Sequence, residues 1–472
     1  MKSEPADWTK VTSEKLVRDN LSEYGKYVIE ERAIAHVFDG MKPVQRRILW
    51  TAWERLKLRP GSTPKKSARV VGDTLGVFHP HSAESVYQSM VGLTWQRYPL
   101  LKGEGNFGDP TAGLGAAAER YTAVSATKIL AEVFEDIAVT ETVPNYTGEY
   151  EEPVYLASNL PLLLMNGSEG IAVGIAANIP PHNLGGLIKA LLLVLKASKE
   201  VKPSTLARLL EGPDYPEGGT CISTKEEIEQ LYATGTGSLT FRCNYSIKPA
   251  KGGYTLLVNS PCPYFSVPRF LDQCEKLRSK NKVGWCEGGT KGVLAICFAR
   301  DREKLVRNVA PLLTRRVRYN WVALDGKKPT IFNLYSYLSQ WLELREIVVE
   351  RSLRARLAVL ERDMVREGAR LAAVQHLQKT LQALRAQDPS KALQKTLHVT
   401  EEQAKIILDS PISLLTKLGV EKQRKTVDVL KIDISVVKHD LKDIAGVIER
   451  DLKRLRAYAD ERRTRVPAYQ SA

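Results

Sequence analysis

Cysteine is scarce, with six in 472 residues: Cys221, Cys243, Cys262, Cys274, Cys286 and Cys297. No two stand at C-x-x-C spacing and none has a histidine at zinc-finger distance, so the spacing gives no metal site. They read as small apolar residues in a reducing compartment. Long apolar runs are missing too: no window approaches 18 uncharged apolar residues, which argues against a membrane-spanning helix. The opening residues, MKSEPADWTKVTSEK, have no apolar core of the kind a signal peptide carries, so a cytoplasmic location is expected. There is no G-x-x-x-x-G-K-[ST] and no D-x-D. Any phosphoryl chemistry must therefore take its nucleotide site and acidic metal site from another chain.

What is present is a basic surplus, 69 Lys+Arg against 54 Asp+Glu for a net +15. With 43% apolar and 26% charged residues the chain can bury a large core, and its length suggests about three domains at ~150 residues each. The charge is unevenly placed. Residues 41–80 carry nine Lys/Arg and two acids, while residues 131–152 carry seven acids and neither Lys nor Arg. A basic block followed by an acidic one implies a defined electrostatic face, and the basic block suits a polyanion partner.

Periodicity predicts helices through residues 8–58, with Pro43 in the first turn of one running from Val44 to about Leu58. A second helix is expected from Lys65 to Leu75, stopped by Gly76. A third follows from Ala83 to Leu93, with Ser82 as its N-cap. Together they have helix-turn-helix character. From about 151 to 330 the texture becomes mixed α/β, with strands expected at Ser238–Cys243, Tyr254–Val258 and Val293–Cys297. Beyond 332 the chain reads as helical. Leu353, Leu357, Leu360 and Met364 form one heptad seam, and Val427 through Ile448 form another. Pro389 and a Thr400–Gln403 capping box mark a helical insert between them. Two long helices with a small domain between them predict an antiparallel coiled coil carrying a knob. Gly103-Glu104-Gly105-Asn106-Phe107-Gly108 fits G-x-G-x-x-G, but lacks a clear preceding strand and a following helix, so it is not read as a nucleotide site.

Several runs carry a resemblance. They are Lys42-Pro43-Val44-Gln45-Arg46-Arg47, Lys65-Lys66-Ser67-Ala68-Arg69, His79-Pro80-His81, Gly105-Asn106-Phe107-Gly108, Ala116–Thr122, and Asn166-Gly167-Ser168 through Ile171 and Gly174 to Asn183. In order and spacing they resemble the A subunit of type IIA DNA topoisomerases, and the likeness extends to about Arg465. The resemblance implies a multidomain α+β fold: an N-terminal arm (1–24), a winged-helix DNA-cleavage domain (25–150), a mixed α/β tower (151–331), a coiled coil with a helical dimerisation knob called the C-gate (332–465), and a tail (466–472). It implies Tyr121 as the nucleophile that forms a 5′-phosphotyrosine, beside Arg120, with Arg32, Arg47, His79 and His81 engaged at the scissile region. Lys42, Arg46, Lys65, Lys66 and Arg69 match DNA-contacting positions, and Ile171 matches the residue that wedges between base pairs.

The implied partners are double-stranded DNA, a second copy of the chain, and an ATPase subunit that binds most of the Mg²⁺ and ATP. Glu84 and Gln88 occupy positions where bacterial relatives hold quinolones through a serine and an acid, and Gln45 replaces a histidine. The chain ends soon after the return helix, so no gyrase-type wrapping domain is expected, as in the medium subunit of T-even-type phage topoisomerases; a phage origin would place it in host cytoplasm. The expected activity is ATP-dependent relaxation and decatenation through a transient double-strand break. The alternatives are a gyrase A core whose wrapping domain is separate or removed, and a non-enzymatic architectural DNA-binding protein.

Overall fold

A computed structural model describes residues 13–289, 292–411 and 417–470. Residues 1–12, half of the expected arm, lie outside the described residues. The chain forms two compact units, one from residues up to Arg345 together with those from Asp451 onward, the other Glu346–Arg450.

The first unit begins with helix α1 (Ser13–Val28), which widens into a π-helical turn at Ile29–Ala33. Helix α2 (Pro43–Trp50) starts where Pro43 supplies a pre-set φ, with Gln45 Oε1 accepting the Lys42 N–H at 3.0 Å. It ends in a second π-helical turn, Thr51–Arg55, so the helix expected to run to Leu58 stops earlier. Helix α3 (Ser67–Val77) starts two residues later than the pattern suggested and runs through Gly76. Helix α4 (Ala83–Thr94) begins after Ser82, whose side chain makes no capping bond, contrary to expectation. Strands β1 (Lys65–Lys66), β2 (Leu101–Glu104) and β3 (Ala123–Ala126) form a sheet in the order β1-β3-β2 against these helices. Ile48, Val70, Val86, Met90, Leu101 and Val124 are buried in this region. The G-x-G-x-x-G run thus begins inside a strand, β2, but an antiparallel one with no helix directly behind it.

A short hairpin, β4 (Thr142–Pro144) and β5 (Glu151–Pro153), follows. A five-stranded sheet then contains β6 (Ser168–Ala172), β7 (Ile175–Ile179), β8 (Thr220–Cys221), β9 (Thr236–Arg242) and, later in the chain, Thr314–Asn320. Between them lies a four-stranded sheet ordered β10-β11-β13-β12, with β10 Asn244–Ala250, β11 Gly253–Ser260, β12 Trp285–Gly288 and β13 Ala295–Ala299. The strands expected near 238, 254 and 293 are all present, the last displaced by two residues.

The unit is closed by its own C-terminal stretch. Arg97, 1% exposed, pairs with Asp214 at 2.8 Å and makes two 2.8 Å bonds to Asp460. The acidic block is also largely consumed internally: Glu132 and Glu135 bind Arg454 at 2.8 Å, Asp136 binds Arg345, and Glu152 binds Arg47. The acidic face expected from composition is therefore mostly internal pairing.

In the second unit, helix Lys417–Asp440 lies antiparallel to the latter part of helix Leu334–Gln375, joined by Lys438–Glu361 and by Gln423–Glu367. Val427, Leu430 and Val437 of the expected seam are buried. The seam does not continue as one helix. The chain turns at 441–443, and Asp443 Oδ1 accepts the Gly446 N–H at 3.0 Å to start helix Ile444–Leu455. Three short helices, Leu377–Leu384, Pro389–Leu397 and Glu401–Leu408, pack around Ala383, Leu393, Ala404 and Ile407. The Thr400/Gln403 capping box forms as the sequence predicted.

Candidate functional site

Tyr121 sits where the chain re-enters the small sheet. Its phenol is 65% exposed and the Arg120 guanidinium lies 4.6 Å over its ring. The backbone beneath is held tightly. Ser67 N–H donates to Thr122 O at 3.0 Å and Ala68 N–H to Glu119 O at 3.3 Å, so the segment docks on the start of α3. Tyr87 on α4 donates to Ala117 O at 2.6 Å and lies 2.9 Å from Thr122 Oγ1, which is itself 2.8 Å from Ser67 Oγ. Gly105, at φ +94, passes so close that a Cβ would lie 3.2 Å from Tyr121 O. The glycine-rich run is therefore the floor of the tyrosine segment, with Ala117 N–H donating to Asn106 O at 2.9 Å. Ser67, Tyr87 and Thr122 were not foreseen, since nothing in the sequence pairs positions 35 and 55 residues apart.

Lys65 and Lys66 leave β1 beside this segment, paired in register with Val124 and Ala123. Lys66 and Arg69 are exposed and Lys65 half-exposed; Arg69 shares a surface ion pair with Asp73 at 3.0 Å. Arg46, matched to a DNA-contacting position, has a different setting from these exposed cations. It is buried, with Nε 2.7 Å from Asp39 Oδ2 and a further bond to Met41 O, and so acts as a structural clasp. Lys42 is half-buried, and desolvation lowers its pKa against the opposing pull of Glu169.

A second group gathers past the far end of α3. His79 and His81 stack at 4.2 Å. Arg47 approaches His79 Nδ1 at 3.1 Å while gripping Glu152 through two 2.8 Å bonds, with Glu31 at 3.6 Å. Tyr27 lies 2.9 Å from His81 Nε2. His79, 7% exposed, has its pKa lowered to about 4, first by burial and then by His81, Arg47 and Arg32. Arg32 itself is exposed on the first π-helical turn. The expected catalytic set is thus in two groups: Arg120 and Tyr121 near the start of α3, the histidines and their arginines beyond its end. Eleven residues separate them along α3, about 16 Å at ~1.5 Å per residue.

Ile171 lies on the β6–β7 hairpin and is 86% exposed, with Val173 beside it at the turn. The strand behind it is seated firmly, since a Cβ on Gly170 would lie 2.0 Å from Ala33 O.

Among the described residues the one gathering of three or more His, Cys, Asp or Glu able to hold a metal is Cys274, Cys286 and Cys297. Among the described residues no carboxylate group of three suited to a hard cation such as Mg²⁺, which takes oxygen ligands, gathers near Tyr121. The sequence reading of no metal site rested on short spacing, and the three cysteines meet across intervals of eleven and ten residues.

Comparison with known proteins agrees with this architecture. The family of the DNA gyrase/topoisomerase IV A subunit matches residues 32–453. The DNA gyrase A subunit of Staphylococcus aureus (strain NCTC 8325 / PS 47) is 34% identical over 483 aligned positions, covering 97% of this chain and 54% of that protein. That of Staphylococcus epidermidis is 33% identical over 97% of this chain and 53% of its own length. The chain thus spans about half the length of these relatives. With the matched region covering most of its residues, the chain belongs to the family of DNA gyrase/topoisomerase IV A subunits.

Proposed function

We propose that this chain is the DNA cleavage–religation subunit of a type IIA topoisomerase. The observation that carries the reading is the exposed Tyr121 phenol under the Arg120 guanidinium, on a rim beside Lys65, Lys66 and Arg69. The phenolic oxygen attacks a backbone phosphorus; the new O–P bond forms as the bond to the 3′-oxygen breaks, and that oxygen leaves with a proton. The products are a 5′-phosphotyrosine and a free 3′-hydroxyl, and the reverse step reseals the strand without new energy. The Arg120 guanidinium beside the ring offsets the charge gathered on the phosphoryl oxygens. The cations beside it hold phosphates and carry little sequence information.

The ~16 Å separation along α3 supports a homodimer in which Arg32, Arg47, His79 and His81 of one copy complete the site at Tyr121 of the other. Two tyrosines then open both strands for a second duplex to pass. The ATPase and the acidic Mg²⁺ site belong to a separate partner chain, and no step above is routed through them. The tower and C-gate roles proposed for residues 151–331 and 332–465 follow the same family reading, as does a cytoplasmic location.

The test is a denaturant quench of chain, partner, Mg²⁺ and plasmid. Protein attached to 5′ DNA ends is expected, and is lost in Tyr121→Phe while DNA binding persists. Mixed dimers of Tyr121→Phe with Arg32→Ala should nick one strand if the site is shared between copies. No cutting by the mixed dimers would place the site within one chain, and no covalent adduct in the unaltered protein would leave a DNA-binding protein without cleavage chemistry.

A further inference from the structure

We propose that Cys274, Cys286 and Cys297 bind one zinc ion that clips helix Val267–Arg278 to the edge of the four-stranded sheet. The three ligating atoms lie within 4.8 Å of one another. Cys274 Sγ is 3.8 Å from Cys297 Sγ. Tetrahedral zinc with Zn–S bonds of about 2.3 Å has an S···S edge of about 3.8 Å, so this pair already has the spacing of two ligands.

The fold fixes the arrangement. Cys286 and Cys297 are direct cross-strand partners on β12 and β13, and Cys274 comes from the helix packed on them. Cys274 and Cys297 are buried while Cys286 is half-exposed, so the site has one open side. Water takes the fourth position there and solvates the single net negative charge left by three thiolates on a divalent ion. Binding releases the three thiol protons. Three soft sulfur ligands without a carboxylate select zinc over magnesium or calcium.

The staple has a structural purpose. β12 is four residues long and, among the described residues, pairs with β13 alone. An edge strand that short has few bonds to hold it, and a metal joining it to its neighbour and to the covering helix adds what the ladder lacks. A second close pair, Cys243 and Cys262 at 3.4 Å, offers two sulfurs and, among the described residues, belongs to no such trio.

Elemental analysis of the whole chain, reduced, incubated with zinc and dialysed, tests this without any DNA assay. One zinc per chain is expected, and cobalt in its place should give the thiolate charge-transfer and visible bands of a tetrahedral sulfur site. Cys274→Ser, Cys286→Ser and Cys297→Ser should each lose stoichiometric metal, whereas Cys221→Ser and Cys243→Ser should keep it. Cys286→Ser is the decisive variant because its half-exposed position lets it fold, which circular dichroism in chelator checks. A wild-type chain that retains no zinc, or a folded Cys286→Ser chain that retains a full equivalent, would each overturn the proposal.

Discussion

Tyr121 takes its position from residues that never touch its ring. Gly105 is one of them, at a positive φ that an L side chain adopts only with strain and where an added Cβ would lie 3.2 Å from the Tyr121 carbonyl oxygen. Gly105→Ala should cost about 1–3 kcal/mol of local strain and shift the tyrosine segment. Slower DNA cleavage with unchanged DNA affinity is the expected result; wild-type cleavage rates would show that the floor tolerates a side chain. His79 gives a pH signature. An unfolded imidazole takes its proton near 6.5, whereas the folded one, buried and facing His81, Arg47 and Arg32, holds out until about 4. The unfolded chain therefore binds the extra proton as pH falls from 6.5 to 4, so folding stability declines through that window and is unaffected above it. An NMR titration of the His79 ring should show a midpoint near 4, and a midpoint at 6.5 or higher would contradict this account.

Among the elements, α4 and the β6–β7 hairpin make separable predictions. On α4, Gln88 Nε2 donates to Glu84 Oε1 at 2.7 Å, one turn apart on the exposed face. The carboxylate at the quinolone position is thus already engaged, and Gln88 has no charge with which to hold a metal's water. Quinolones should trap cleaved DNA weakly, and Glu84→Ser with Gln88→Asp should raise sensitivity in a dose–response of cleavage complexes. On the hairpin, Ile171→Ala should leave the thermal midpoint unchanged, given its exposure, while reducing DNA bending read by end-to-end energy transfer. Gly170→Val, which drives a side chain into Ala33 O, should lose stability as well.

The sequence showed these elements unevenly. Pro43, the Thr400–Gln403 box and the alternating strands near 238 and 254 are local signals, and the structure keeps them. The break at 441–443 was hidden because Leu441, Ile444 and Ile448 continue the heptad spacing, and only the capping bond of Asp443 interrupts it. The burial of Arg46 was not legible because a buried cation and an exposed one look alike until Asp39 is seen beneath it. The division of the expected catalytic set between the two ends of α3, and the cysteine trio, depend on contacts between distant segments that no local pattern records.

For the molecule as a whole, the Arg97 clasp carries the largest expected effect. Asp214 has no exposed side-chain surface, so Arg97→Ala leaves a buried carboxylate without its cation, at about 3–5 kcal/mol. A lowered midpoint in denaturant is the expected readout, and a change below about 1 kcal/mol would mean that water or a rearranged Asp460 compensates. The same clasp has a consequence in time. Arg97 and Asp460 are 363 residues apart, and at ~5–20 residues per second a ribosome needs roughly 20–70 s to travel between them. Once Asp214 has been made, it and Arg97 await a third member still unmade while the whole of Glu346–Arg450 is synthesised. The nascent first unit is therefore an unfinished vessel whose last seam is sewn only after residue 460 has been made, and chaperone occupancy or aggregation during translation should fall sharply once residue 460 leaves the ribosome tunnel.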